Sequence, residues 1–195
     1  MSSERQREIM AASLEIISAE GIQNLTIKNI SGRIGISEPA IYRHYENKIS
    51  ILIAILDEFR IMSSKLFSDH SAGDTSPVEK LKNIFKGLFK AFEKNPSMVS
   101  VIFSEEVFRN EPLLRQRISE IMEHNSSVIR TLVSEGQKSG DINNTIDPGY
   151  LTIIITGSLR MLVRKWQEGD KQFNQAVEVE NLFGAIANII AVSKS

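Results

Sequence analysis

The sequence contains no cysteine among its 195 residues, so disulfide bonds, thiolate nucleophiles and cysteine-based zinc sites are excluded. Its three histidines, His44, His70 and His124, lie far apart and lack the spacing of metal ligands. The glycine-rich phosphate loop, the dinucleotide fingerprint and the Gly-x-Ser-x-Gly and His-Glu-x-x-His motifs are absent as well. We therefore expect no enzyme, no metal and no cofactor.

Long hydrophobic runs are also missing. The two most apolar segments, residues 151–163 and 181–192, are too short and too interrupted to span a bilayer, and no basic-then-apolar leader opens the chain. Hydrophobic residues make up 42% of the chain and charged residues 24%, which is typical of a globular protein. We expect a cytoplasmic protein without a membrane partner.

Neither sign of charge is in marked excess, because the formal net charge is −1. Residues 1–48 balance six basic side chains against six acidic ones: Arg5, Arg7, Lys28, Arg33, Arg43 and Lys48 against Glu4, Glu8, Glu15, Glu20, Glu38 and Glu46. A nucleic-acid-binding role must then rest on where the charges lie and not on their sum.

The apolar residues recur with a helical period almost throughout, and no segment alternates cleanly like a strand. All five prolines, at 39, 77, 96, 112 and 148, stand where a helix can begin. We predict an all-α fold of about nine helices: an N-terminal three-helix domain over 1–47 and a larger helical regulatory and dimerisation domain over 48–195. Among the predicted helices are those at about 3–20, 48–67, 112–139, 148–167 and 173–193.

A helix-turn-helix is predicted between Thr26 and Tyr45. Thr26 can cap a short helix, and Gly35 can end it with a positive φ. Ser37 can then cap the next helix through the amide of Ala40.

The predicted second helix of this motif has an unusual outer face. Ile41 and Tyr45, four residues apart, would face the core. The outer side then carries Glu38, Ala40, Tyr42, Arg43 and His44. Such a helix fits the major groove of DNA, because arginine bonds guanine edges, alanine contacts thymine methyl groups, and tyrosine and histidine can donate to phosphates.

Two residues of this region keep two interpretations. Glu38 can accept from a cytosine amino group, or it can favour the positive end of its own helix. Lys48 can anchor a phosphate together with the amides of the next helix, or it can be an ordinary solvated lysine.

Residues 9–52 resemble the N-terminal domain of the TetR family of bacterial transcriptional regulators. The resemblance rests on the cap at Thr26, the Gly35-Ile36-Ser37 turn, and the Tyr42-Arg-His-Tyr-Glu-Asn-Lys48-Ile-Ser-Ile-Leu52 run. Tyr45 stands where the family usually has phenylalanine, and Ile49-Ser50 replace a frequent acidic pair.

The resemblance implies binding to double-stranded DNA at a palindromic operator. It implies phosphate contacts from Tyr42, His44 and Lys48, with help from Ser37 and Lys28. It makes Glu38, Ala40 and Arg43 the expected base readers.

The resemblance further implies that the last two helices pair with those of a second copy in a four-helix bundle. Apolar residues between Leu151 and Val163 cover more than one helix face, which supports a homodimer, although a central helix buried within one subunit would have the same pattern. The expected interface comprises Leu151, Ile154, Ile155, Leu159, Leu162, Phe183, Ile186 and Ile190.

The resemblance also implies a small-molecule pocket among the fifth to eighth helices. We expect Phe89, Phe92, Phe103, Met122 and Arg160 to line it. Phenylalanines at this spacing form a core in most proteins, and Arg160 can instead pair with acids across the dimer. The predicted function is a homodimeric repressor released from its operator by a small apolar or amphipathic ligand. The alternative is a DNA-bound scaffold of the same fold that recruits a protein partner without a ligand.

Overall fold

The computed structural model describes residues 2–104, 108–109, 111–169 and 174–191. Over these ranges it contains nine α-helices whose bounds are given below, one short 3-10 helix and no strand. This confirms the all-α prediction of about nine helices. The elements are α1 Glu4–Glu20, the 3-10 helix Ile22–Asn24, α2 Ile27–Ile34, α3 Glu38–Tyr42, α4 Lys48–Ser71, α5 Pro77–Lys94, α6 Pro96–Ile102, α7 Pro112–Ser139, α8 Pro148–Gln167 and α9 Gln175–Ile190.

The helix starts follow the prolines, as predicted. Four prolines are the first residues of α5, α6, α7 and α8, where a missing amide hydrogen leaves no intrahelical bond unmade. The predicted end of α4 at Phe67 is wrong. The Ser71 hydroxyl bonds to the Phe67 carbonyl oxygen at 2.6 Å, and the helix continues to Ser71 before Gly73 takes a φ of 88°. The predicted ends of α9, at 173 and 193, lie outside the described residues.

Packing divides the chain into two compact units. The first comprises Met1–Ile61 and Asn95–Ile121, and the second comprises Met62–Lys94 and Met122–Ser195. Helices α4 and α7 therefore contribute residues to both units. The predicted domain boundary between residues 47 and 48 stays a prediction.

In the first unit, α1 packs against both α2 and α6, and α2 packs against α3. Isoleucine is the most frequent residue type in this core. Fully buried examples are Ile9, Ile16, Ile30, Ile41 and Ile51.

In the second unit, α9 packs against both α5 and α8. The rings of Phe85 on α5 and Phe183 on α9 meet edge to face, with centroids 5.8 Å apart and planes at 74°. This aromatic pair fixes α9 against α5 near the middle of both helices.

None of the helices in the described ranges combines the length and the apolar character needed to cross a membrane.

Candidate DNA-binding surface and ligand cleft

The turn of the helix-turn-helix forms as its residue types predict. The Thr26 hydroxyl accepts a hydrogen bond from the Asn29 amide at 3.1 Å and caps α2. Gly35 ends the helix with φ 69° and ψ 32°, a left-handed conformation that favours glycine. The Ile36 amide then donates to the Ser31 carbonyl oxygen at 3.1 Å and turns the chain back.

Ser37 occupies the cap position of α3, but its predicted capping bond is wrong. The side chain makes no capping hydrogen bond, and the Ala40 amide instead donates to the backbone carbonyl of Ser37 at 2.9 Å. A serine at this position can satisfy the helix through either oxygen, and here the backbone oxygen does so.

The second helix of the helix-turn-helix, α3, is shorter than predicted. α3 covers only Glu38–Tyr42, and Arg43 is its C-terminal cap. The amides of His44 and Tyr45 both donate to the Ile41 carbonyl oxygen, at 2.9 and 3.0 Å. Arg43 and His44 therefore project from a tight turn at the end of the helix.

The inner and outer sides of this segment are as predicted. Ile41 is fully buried and Tyr45 is 7% exposed. Glu38, Tyr42 and Arg43 are exposed, with Tyr42 at 53%, and Ala40 and His44 are half-buried. An aromatic side chain this exposed contributes little to the core and is available to a partner.

Some cations of the first unit form ion pairs with nearby carboxylates, and others do not. Arg33 pairs with Glu20 and, at 3.8 Å, with Glu15, while Arg5 pairs with Glu8. Among the described residues, no carboxylate lies within ion-pair distance of the exposed cations Lys28, Arg43 and Lys48. Lys28, Arg43 and Lys48 are thus without an ion pair in the segments predicted to bind DNA, and in the same segments the exposed carboxylates Glu38 and Glu46 have no ion pair among the described residues either.

The five predicted ligand residues lie on several elements, and their role in a common pocket stays a prediction. Phe89 and Phe92 are buried on α5, Met122 is half-buried on α7, and Arg160 is exposed on α8. Phe103 belongs to the first unit, whereas the other four belong to the second.

An open cleft of about 970 Å³ lies in the second unit, and Phe89 is the one predicted ligand residue among its lining. The lining comprises Lys86, Phe89, Lys90, Glu93, Trp166, Asn174, Gln175, Ala176, Val179 and Glu180. The sequence did hold one signal for this cleft. Lysines recur every four residues on α5, at 82, 86, 90 and 94, which marks one basic edge of that helix.

Five of the eight predicted interface residues belong to the interior of the second unit itself. These buried residues are Leu151, Ile155, Phe183, Ile186 and Ile190. A side chain at 4% exposure or less has no surface to offer a second copy, so these five are removed from the expected interface. Of the other three, Ile154 is exposed, and Leu159 and Leu162 are half-buried.

The same two helices expose other large apolar side chains that the interface prediction did not include. They are Tyr150, Ile153 and Met161 on α8, and Val177 and Ile189 on α9. On α8 these three residues are three and eight residues apart, and together with exposed Ile154 they form one stripe along the helix. Exposed Gly157 lies within that stripe and has open space where a Cβ would stand.

Comparison with known proteins matches both parts of the chain. Residues 9–55 match the family described as bacterial regulatory proteins, tetR family, and residues 62–189 match the family described as YsiA-like protein, C-terminal region. The second match alone covers more than half of the chain. The fatty acid metabolism regulator protein of Bacillus subtilis is 22% identical over 86% of each chain. The nucleoid occlusion factor SlmA of Vibrio vulnificus is 25% identical over 83% of this chain and 85% of that protein.

The fold also matches solved structures. The regulator FadR from Bacillus subtilis, solved in complex with stearoyl-CoA, superposes with a TM-score of 0.82 at 21% identity, covering 94% of this chain and 98% of that one. The two family matches and the helix-turn-helix geometry agree: the chain belongs to the TetR family of bacterial transcriptional regulators, which bind DNA.

Proposed function

We propose that this protein is a homodimeric, sequence-specific repressor that binds a palindromic operator and is released from it by an amphipathic ligand. The observation that carries the proposal is the exposed group of Tyr42, Arg43 and Lys48, whose cations have no carboxylate partner among the described residues. An exposed aromatic beside unpaired cations fits a polyanionic partner better than it fits a solvated surface.

The DNA contacts divide into two kinds. Lys48, Lys28, Tyr42 and His44 hold phosphates and set the position of the protein on the duplex. Arg43 reads a base, with guanine as the expected partner, and Glu38 and Ala40 flank it. The Ser37 hydroxyl makes no capping bond, so it is available for a phosphate oxygen.

The homodimer is supported by the exposed stripe on α8. Ile153 and Met161 are 65% and 63% exposed, which is unusual for large apolar side chains two turns apart on one helix. A second copy that covers Tyr150, Ile153, Ile154 and Met161 would remove this apolar surface from water. Two-fold symmetry would then match a palindromic operator.

Ligand control is supported by the cleft and by one relative. The Bacillus subtilis FadR structure contains stearoyl-CoA, a ligand with a long apolar chain and a charged head group. The cleft of the present chain combines buried Phe89 and Val179 with exposed Lys90, while its second lysine, Lys86, is paired with Glu180 and Glu93 also lines it.

The scaffold alternative draws on the SlmA relatives, whose name describes nucleoid occlusion and not a metabolite response. A scaffold that takes no ligand does not need a cleft with both apolar and charged lining. The cleft therefore favours a ligand-controlled repressor over a scaffold.

One experiment tests the proposal. Binding sites are first selected from random-sequence DNA, and affinity for the recovered site is then measured by fluorescence anisotropy with and without stearoyl-CoA. We expect a palindromic site, two protein chains bound to each palindrome, and weaker DNA binding when stearoyl-CoA is present. Equal affinity with every long-chain ligand tested would favour the scaffold, and recovery of no preferred site would reject sequence-specific binding.

A further inference from the structure

We propose that the cleft between α5, the end of α8 and the start of α9 binds the anionic head group of an amphipathic ligand, with Lys90 and Gln175 as its direct contacts. The proposal deepens the ligand-controlled function and, for its regulatory meaning, rests on it. The binding site itself is argued from the residues of the cleft.

The cleft opens where two antiparallel helices separate. Three contacts hold α5 against α9. Lys82 and Lys86 on α5 pair with Glu180 on α9, and the Phe85 ring on α5 packs against the Phe183 ring on α9. One turn further along α5, Phe89 and Lys90 line open space together with the first turn of α9. The helices are thus held together on one side of the cleft and leave room on the other.

Ion pairs leave one cation of the cleft unengaged. Lys82 lies 3.2 Å from Glu180, and Lys86 also pairs with that carboxylate. Hydrogen bonds from Lys86 and then Lys82 lower the pKa of Glu180, so the carboxylate stays ionised between them. Lys90 has no carboxylate within ion-pair distance among the described residues, although Glu93 lies on the same rim.

Gln175 supplies a second donor, independent of the lysines. Its Nε2 atom is shielded from solvent and has no hydrogen-bond acceptor. An amide donor removed from water without an acceptor destabilises the free protein, and a ligand oxygen would satisfy it. Both Lys90 and Gln175 line the cleft, and an anionic group held by Lys90 would accept from Gln175 as well once the Gln175 side chain turns its Nε2 atom toward the cleft.

The rest of the lining fixes the character of the ligand. Phe89 and Val179 are each 3% exposed and form apolar walls, and Trp166 adds an aromatic side chain. A small inorganic anion would leave these walls unused, whereas a purely apolar molecule would leave the two donors unpaired. The lining therefore fits a phosphate or carboxylate attached to an apolar chain.

The chain contains a single tryptophan, and it lines this cleft, so Trp166 fluorescence reports occupancy directly. The full-length protein is titrated with octyl phosphate, octanoate, uncharged octyl glucoside and inorganic phosphate. We expect saturable changes with the two charged amphiphiles, at least tenfold weaker binding of the glucoside, and no saturation with inorganic phosphate. The relative affinities of octyl phosphate and octanoate identify which head group the site prefers.

Variants localise the contact. Lys90→Ala and Gln175→Leu should each weaken octyl phosphate binding by about tenfold, and Lys90→Arg should restore most of it. Lys94→Ala is the matched control, because Lys94 is an exposed lysine one turn further along α5 that does not line the cleft. Equal binding of the glucoside and the charged probes, or equal losses in the Lys90 and Lys94 variants, would overturn the site.

The same samples are tested for binding to the selected DNA site. If octyl phosphate binds as expected but leaves DNA affinity unchanged, the site stands and ligand-controlled release by such amphiphiles is wrong. If a long-chain ligand releases the DNA without any change in Trp166 emission, the release stands and this cleft is not its site.

Discussion

Asn47 and Ser50 cap each other at the first turn of α4. The Asn47 side-chain oxygen accepts from the amides of Ile49 and Ser50, at 2.8 and 3.0 Å. In return, the Ser50 hydroxyl accepts from the Asn47 amide at 3.2 Å and donates to the Asn47 carbonyl at 2.7 Å. Ser50 thus does what a glutamate does in the usual capping box, which explains how this chain accommodates its departure from the family's acidic pair. The cap fixes Lys48 as the first residue of the helix.

Replacing the cap should weaken both folding and DNA binding. Asn47→Ala removes two side-chain bonds to orphan amides and should lower the free energy of unfolding by about 1 kcal/mol. Because Lys48 then starts a frayed turn, affinity for DNA should fall as well. Urea unfolding and anisotropy on the selected site measure the two effects. Asn47→Asp keeps the acceptor and serves as the control; if it behaves like alanine, the cap is not responsible.

The positioning and reading contacts should respond differently to substitution. Lys48→Ala should weaken binding to all sequences and lower the slope of log affinity against log salt by roughly one unit per chain. Arg43→Ala should cost about 1–3 kcal/mol and relax the preference at one base pair per half-site. Lys65→Ala, an exposed lysine of the second unit, is the control. An equal loss on selected and random DNA would show that Arg43 does not read a base.

The features that the sequence could predict are those with local causes. Thr26, Gly35 and the helix-starting prolines act on backbone groups within a few residues, so their residue types largely decide the outcome. Ser37 marks the limit of such reasoning. Its type identifies a cap position but not which of its oxygens satisfies the helix, because that depends on the exact turn geometry.

The second unit was harder to predict because its features depend on contacts distant in sequence. An excess of apolar residues on α8 is visible in the sequence, but its division into an inner and an outer face depends on where α9 packs. Leu151 and Ile155 lie inside, and Ile153 and Met161 lie outside. The cleft likewise depends on Lys86 meeting Glu180, which no local pattern can reveal.

The exposed stripe on α8 gives a direct test of the dimer. Glutamate at both Ile153 and Met161 removes two apolar side chains, each contributing about 2 kcal/mol if fully buried between copies. Since a symmetric dimer carries both substitutions in each copy, it should weaken by roughly a thousandfold or more, and sedimentation velocity at micromolar concentration should show monomers. Ile61→Glu is the matched control, since Ile61 is 56% exposed on α4 and lies in the first unit. A wild-type protein that is itself monomeric would reject the homodimer.

Tyr45 should make the first unit sensitive to alkaline pH. Burial, and then the nearby negative charge of Glu58, raise the pKa of its phenol above the ordinary 10.0. The folded state therefore favours the neutral phenol, so this contribution is fully present below pH 10 and is lost as pH rises through the raised pKa. The decrease in melting temperature from pH 8 to pH 11 should be smaller in Tyr45→Phe than in the wild type. Tyr42→Phe changes an exposed tyrosine and should leave that fall unchanged; equal pH dependence in wild type and Tyr45→Phe would contradict the assignment.

Asn143 should determine how firmly the end of α9 is held in the second unit. Its side-chain amide donates to the carbonyl oxygens of Ile189 and Ala191, at 3.1 and 3.2 Å. Its backbone amide donates to the carbonyl oxygen of Ile190 at 2.8 Å. The loop thus satisfies carbonyl groups that a helix end leaves without partners. Asn143→Ala leaves the backbone bond and removes the side-chain bonds to α9 together with those that the Asn143 side-chain oxygen accepts from the Thr145 amide and hydroxyl, at 3.2 and 2.8 Å. The loss should be about 1 kcal/mol, because these bonds are exposed to water.

The loss should be local as well as global. Hydrogen exchange should speed up at the amides of the last turn of α9 while the amides of α1 stay unchanged, since α1 belongs to the first unit. Asn144→Ala is the matched control: it changes the neighbouring exposed asparagine, for which no side-chain bond is seen among the described residues. If both variants unfold at the same urea concentration as the wild type, the Asn143 side chain does not hold the helix end, and the backbone bond to Ile190 suffices.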